Sequence, residues 1–160
     1  MPQGPLVLYE KDYNQIKAVI DKLTKDANAK ICFVVDKNGQ LLSAAGETAG
    51  IDTTSLASLT AGNIAATGGL AKLIGEKEFS ILFHEGEKDN IHISIVGGRV
   101  ILVVIFDERS SLGLVRLRVK KASDALVSLF DQIEQQANAQ GAESPFDEIT
   151  DDDIDNLFSD

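Results

Sequence analysis

Residues Thr53–Ala71 read TTSLASLTAGNIAATGGLA, a stretch without one Asp, Glu, Lys or Arg. Asp52, just before it, suits a helix N-cap: its carboxylate can accept orphan backbone N–H groups at the positive end of the helix dipole. At about 100° per residue, Leu56, Leu59, Asn63, Ala66, Leu70 and Ile74 share one face, which is predicted to rest on the chain's own sheet. The opposite face carries Ser58, Ala61, Ala65, Gly68, Gly69 and Lys72. A solvated helix back normally carries Lys and Glu, whereas this one is small and nearly uncharged. Gly62, Gly68 and Gly69 each cost the helix about 1 kcal/mol relative to alanine. The expectation is a helix with its own core on one side and a closely approaching partner on the other. The alternative is a helix buried twice within one domain. Too many Ser, Thr, Asn and Gly interrupt the apolar residues for a membrane span.

Working outward, residues from about Tyr9 to Ala27 predict a first helix with Tyr13, Ile16, Val19 or Ile20, and Leu23 as its apolar stripe. Ile31–Val35 is a short run of β-forming residues. Asn38-Gly39 after it is a hairpin signal, and Gln40–Ala44 is the expected return strand. Gly75 suits a C-cap for the central helix. Beyond it, Phe79–His84, Ile91–Val96 and Val100–Phe106 read as three more strands. In IHISIV, Ile91, Ile93 and Ile95 alternate with His92 and Ser94. VILVVIF is apolar on both faces, as a strand covered on both sides should be. Ser111 can cap a last helix to about Gln136, with Leu114, Leu117, Leu126, Leu129 and Ile133 inward. The order α-β-β-α-β-β-β-α predicts an α+β sandwich around a five-stranded antiparallel sheet.

The net charge is −10, and it is unevenly placed. Eight acids and no base lie between Gly141 and Asp160; without them the chain's 25 acids fall to 17, against 15 bases. The folded body is thus nearly neutral, which argues against nucleic acid as the main ligand. A single Cys32 excludes an intrachain disulfide and suits a reducing cytosol. The start MPQGPLVLYE lacks the basic-then-apolar pattern of a secretion signal, and no apolar run is long enough for membrane insertion.

Catalytic signatures are not found. His84 and His92 have no second ligand at metal spacing, and neither phosphate-binding glycine loop occurs. Cys32 lies in an apolar strand and reads as a buried hydrophobe. The acids of the tail lack the glycine and final Glu of a calcium loop. No metal, cofactor or self-contained active site is expected. Arg116, Arg118, Lys120 and Lys121 form a basic patch on the last helix, either a solvated face or a docking site for an acidic segment. Arg109 precedes them and has a remote claim as an arginine finger.

Residues 138–144 are predicted to form a linker. The segment 145–160 then reads as an acidic amphipathic helix, with Ile154, Leu157 and Phe158 at i, i+3, i+4 and Phe146 ahead of them. It is too short to stand alone, so folding on docking is expected. A disordered solubilising tail is the alternative.

The chain resembles the roadblock/LC7 family. The resemblance is carried by LTKDANAK (Leu23–Lys30), VDKNGQL (Val35–Leu41), IDTTSLASLTAGN (Ile51–Asn63), GGLAKLIGE (Gly68–Glu76), FHEG (Phe83–Gly86), VVIFD (Val103–Asp107), SLGLVRLRVKKASD (Ser111–Asp124) and DDDIDNLF (Asp151–Phe158). It implies a roadblock/LC7 domain over residues 1–137. It also implies a homodimer with one continuous sheet and paired central helices. Its bacterial branch implies a GTPase-activating protein for a Ras-like small GTPase of the MglA type. Such a protein donates no catalytic residue and makes the GTPase place its own Arg and Gln. On this reading Ser58, Ala61, Ala65, Gly69 and Lys72 face the GTPase. Ala57, Ile64, Gly68 and Ala71 lie on the flank that touches the second subunit. The C-terminal helix affects nucleotide exchange. Cell polarity and gliding motility are the implied processes, the cytoplasm and a cell pole the implied location, and polar localisation factors further partners. A scaffold that binds a GTPase without stimulating it, and a profilin-like or PAS-like ligand sensor, stay as alternatives.

Overall fold

The computed structural model describes residues 7–143. Its elements are α1 (Glu10–Asp26), β1 (Ile31–Asp36), β2 (Leu41–Gly46), α2 (Thr53–Leu73), β3 (Ile81–Glu85), β4 (Asn90–Val96), β5 (Val100–Phe106) and α3 (Leu112–Glu143). The expected order holds, with strand ends shifted by one or two residues. All neighbours are antiparallel, and the sheet runs β2-β1-β5-β4-β3. The last strand in sequence therefore lies in the middle of the sheet, and all seven of its residues are buried. That is what its unbroken apolar run requires.

The sheet separates two cores. On one face α1 and α3 pack Ile16, Ile20, Leu23, Val115, Val119, Leu126, Phe130 and Ile133 onto Cys32, Val34, Leu102 and Val104. On the other, α2 lies over Ile31, Phe33, Val35, Ile93, Ile101, Val103 and Ile105. Two inward assignments fail on the first face. Tyr13 and Leu117 are exposed; Asp12 is buried instead, its carboxylate accepting the Tyr9 N–H at 2.9 Å to close the start of α1.

The turns follow the sequence. Asp36 Oδ1 accepts the N–H of Asn38 and of Gln40, both at 2.9 Å, and Gly39 takes φ 92°, a backbone region that favours glycine. Ser111 Oγ caps α3 by accepting the Leu114 N–H at 3.2 Å. That helix then continues to Glu143, through residues the composition marks as linker. Ala137, Ala139 and Gln140 are good helix formers, so a polar composition there does not stop the helix. Phe146, Ile154, Leu157 and Phe158 lie outside the described residues.

Candidate partner-binding surface

Asp52 caps α2 as its sequence predicts: Oδ1 accepts the Ser55 N–H at 3.1 Å and Oδ2 the Ser55 hydroxyl at 2.7 Å. The same bonds hold its carboxyl below the ordinary carboxylate range. At the far end Gly75, at φ 80°, donates to Lys72 O at 3.3 Å, and Glu76 donates to Ala71 O at 2.9 Å. This is the paired bonding of a glycine-stopped helix.

The rotation of α2 between these ends differs from expectation by about a quarter turn. Ala57, Thr60 and Ala71 are its buried residues, with Leu56 and Ile64 packed on the sheet core. Ala57 and Ala71 are completely covered by their own subunit. They cannot touch a second one, and that part of the predicted dimer contact is corrected; Ile64 is likewise engaged with its own sheet. Leu59, Leu70 and Ile74, expected on the sheet, point away from it: Leu59 is 73% exposed and Leu70 57%, beside Leu73 at 84%. Ala66 is exposed with them.

The apolar set is better described by its spacing. Leu56, Leu59, Asn63, Ala66, Leu70 and Leu73 are separated by alternating steps of three and four. That 3.5-residue repeat is the seam by which one helix meets another, with a polar residue at one inner position. Leu56 and Asn63 form the edge of this seam nearest the sheet, and Asn63 Nδ2 lies 3.2 Å from His84 Nε2 on β3. A large apolar stripe left open beside a sheet edge marks a protein-contact surface.

A second exposed strip, carrying Ser58, Ala65, Gly69 and Lys72, runs beside the leucines. Ala61 stands apart from it. A Cβ added to Gly39 would sit 3.6 Å from Ala61 Cβ and 3.4 Å from Ser58 Cα, so the β1–β2 turn already leans on this end of the helix. The small size of Ala61 serves the chain's own hairpin. A Cβ on Gly62, Gly68 or Gly69 would meet nothing within 4 Å. Their cost to the helix has no explanation inside one subunit.

β3 completes the surface. It is one of the sheet's two edge strands, β2 being the other, and Ile81 on it is 54% exposed. An apolar edge with unpaired backbone groups invites another strand.

Arg109, Cys32 and His92, the chemically capable residues away from this surface, are not poised for catalysis. Arg109 holds Asp107 through Nε at 2.9 Å and through Nη2 at 2.9 Å, and it reaches Glu47 through Nη2 at 3.0 Å. Asp107 is accordingly held below the ordinary carboxylate range by these Arg109 bonds. A guanidinium tied to two carboxylates is poorly placed to serve another protein's phosphoryl transfer. Cys32 is buried, and desolvation pushes its thiol up to about 12, so it is no thiolate at neutral pH. His92 is buried beneath α3 with no hydrogen-bond partner for either ring nitrogen, as is the hydroxyl of Ser94. Burial first, and Arg116 second, lower the His92 pKa, so it packs as a neutral ring. Among the described residues no three His, Cys, Asp or Glu gather to hold a metal, and no helix is long and apolar enough to cross a membrane.

An antiparallel five-stranded sheet with one helix on one face and two on the other, and an open helix seam beside an open edge, defines a roadblock domain. The chain belongs to the Roadblock/LC7 family, whose domain matches residues 15–106. Its fold is similar to that of Myxococcus xanthus MglB, at 68% identity over 80% of this chain and 96% of that one, with a TM-score of 0.76. The gliding protein MglB of Thermus thermophilus matches at 33% identity over 82% and 99% of the two chains, TM-score 0.74. An MglB solved in a tetrameric arrangement matches at 31% identity over 82% and 99%, TM-score 0.75. No curated protein sequence matches significantly. The chain is a homologue of MglB.

Proposed function

We propose that this chain is an MglB-like GTPase-activating protein that works as a homodimer on a Ras-like GTPase of the MglA type. The observation that carries the reading is the outward leucine seam of α2 lying beside a strip of small residues. In the dimer, Leu59, Ala66, Leu70 and Leu73 of the two subunits face each other. They replace Ala57 and Ala71 as the contact set, and Gly68 stays at its margin. Fully burying a leucine contributes about 1.5–3 kcal/mol, and the two-fold axis supplies each contact twice. The β3 edges join to continue the sheet. Ser58, Ala65, Gly69 and Lys72, with Ala61 at the border, then form a smooth platform on which a GTPase backbone can lie close.

Stimulation comes from selecting the catalytic conformation of the GTPase rather than from a donated group, in keeping with the tethering of Arg109. Moving a conformation from rare to dominant needs about 5.5 kcal/mol of differential binding. A paired-helix platform can supply that amount more readily than one helix. Residues 145–160 act as a second contact that tunes nucleotide exchange. The cytoplasm, at a cell pole set by localisation factors, is the site of action, and polarity and gliding motility the processes served.

The test is GTP turnover by the cognate Ras-like protein with the Ala65→Arg, Gly69→Arg double variant. A dimer by light scattering that no longer stimulates hydrolysis is the expected result. Unchanged stimulation would remove the platform from this helix face.

A further inference from the structure

The basic patch on α3 is placed against the ordinary logic of helix charge. Arg116, Arg118, Lys120 and Lys121 lie in its first three turns, whose N-terminal end is already positive, and no acid stands in the first turn. Among the described residues none of the four forms an ion pair within 4.0 Å. Asp26 of α1 is the near carboxylate; Lys22 holds it first, while Arg118 and Lys121 add only longer-range attraction. Arg118 Nε is shielded from water and has no acceptor. Leu117, 61% exposed, stands between these bases. A row of unneutralised cations around an exposed leucine is complementary to an acidic amphipathic helix carrying large apolar side chains.

The chain contains such a segment. Residues 145–160 hold seven acids and no base, with Ile154, Leu157 and Phe158 among them. Reach decides which copy supplies it. Lys121 lies about 33 Å back along α3 from Glu143 at the helical rise. Fully stretched, the chain from Glu143 to Asp152 covers about 32 Å. A subunit's acidic run therefore barely meets its own patch when taut, and it cannot bring Leu157 to Leu117 as part of a helix. A neighbouring copy carries no such restriction. We infer that the segment 145–160 of one copy docks on the Arg116–Lys121 face of α3 in another, linking copies through the side of the sheet opposite α2. This contact leaves the α2 surface free, but it engages the same segment that the GTPase reading uses as a second contact, so the two compete for it.

The test is sedimentation of the full chain at low and high salt with charge-swapped variants. Wild type is expected to self-associate beyond its smallest species, about tenfold or more weakly when salt rises from roughly 50 to 500 mM. Lys120→Glu with Lys121→Glu, and separately Asp151→Lys with Asp152→Lys and Asp153→Lys, should each lose that association while keeping the wild-type circular dichroism spectrum and melting temperature. Mixing the two variants should restore it, because one keeps the patch and the other the segment. Combining all five changes in one chain should restore it as well. No heavier species in the wild type, persistence in either variant, or no recovery on mixing would each overturn the inference.

Discussion

On one face of the sheet, α1 and α3 contribute large side chains such as Ile20, Leu126 and Phe130, and their leucines and isoleucines point mostly inward. On the other, the fully buried apolar residues of α2 are two alanines, Ala57 and Ala71, while Leu59, Leu70 and Leu73 point out. Both faces are covered by helices of good length. What differs is where the large apolar groups are directed. Where they turn inward, the helix stabilises its own subunit. Where small groups turn inward and large ones outward, the helix is held just firmly enough to present a surface.

This contrast can be broken by mutation, beginning on the sealed face. Leu126→Ala should cost about 2–5 kcal/mol by leaving a cavity under α3, read as a shift of the urea midpoint. The paired change Leu70→Asp with Leu73→Asp should do the reverse, leaving the fold of the subunit intact. Dimer affinity should drop about a hundredfold or more, followed by sedimentation across a dilution series, and GTPase stimulation should fall with it. A melt as poor as that of Leu126→Ala would show that those leucines serve their own subunit after all.

A smaller effect separates the faces by pH. His92 belongs to the sealed face, and its folded pKa lies below its unfolded value. The stability it permits is complete above about pH 6.5, the unfolded value, and is lost as pH falls through the lowered folded value, because the unfolded chain then binds more protons. Denaturant midpoints should decline in that acidic window for the wild type, and His92→Leu should flatten the decline. The smallest expected change is Gly69→Ala. The added methyl group meets nothing within 4 Å, so the isolated subunit should gain about 0.5–1 kcal/mol in thermal unfolding. Loss of GTPase stimulation despite that gain would place a partner backbone against this position.

Sequence patterning reveals the strands, the helix order and both ends of α2, because caps, turns and alternation are local signals. It misdirects the roll of α2. The rule that large apolar residues face the core selects Leu59, Ala66 and Leu70, and it fails here because all three are exposed on the outer side of the helix. The signal that corrects it lies in the same residues: a repeat nearer 3.5 than 3.6, with Leu73 rather than Ile74 as its last member, favours a helix as neighbour over a sheet. The role of Ala61 beside Gly39 is not legible, since it depends on how a hairpin tip folds back over a helix. The exposure of Leu117 escapes for the same reason as that of Leu59. Periodicity locates a core, and neither side chain lies in it.

The position of β5 has a consequence for how the chain is made. Its partners are β1, whose residues leave the ribosome long before it, and β4 directly before it. Until Val100–Phe106 emerges, the nascent chain holds two separate strand pairs with nothing between them and a leucine-bearing helix without a base. Closure of the sheet must wait for that strand. The helix that carries the outward leucines consequently gains its full seat, Ile101 and Val103 included, only once synthesis has passed that strand.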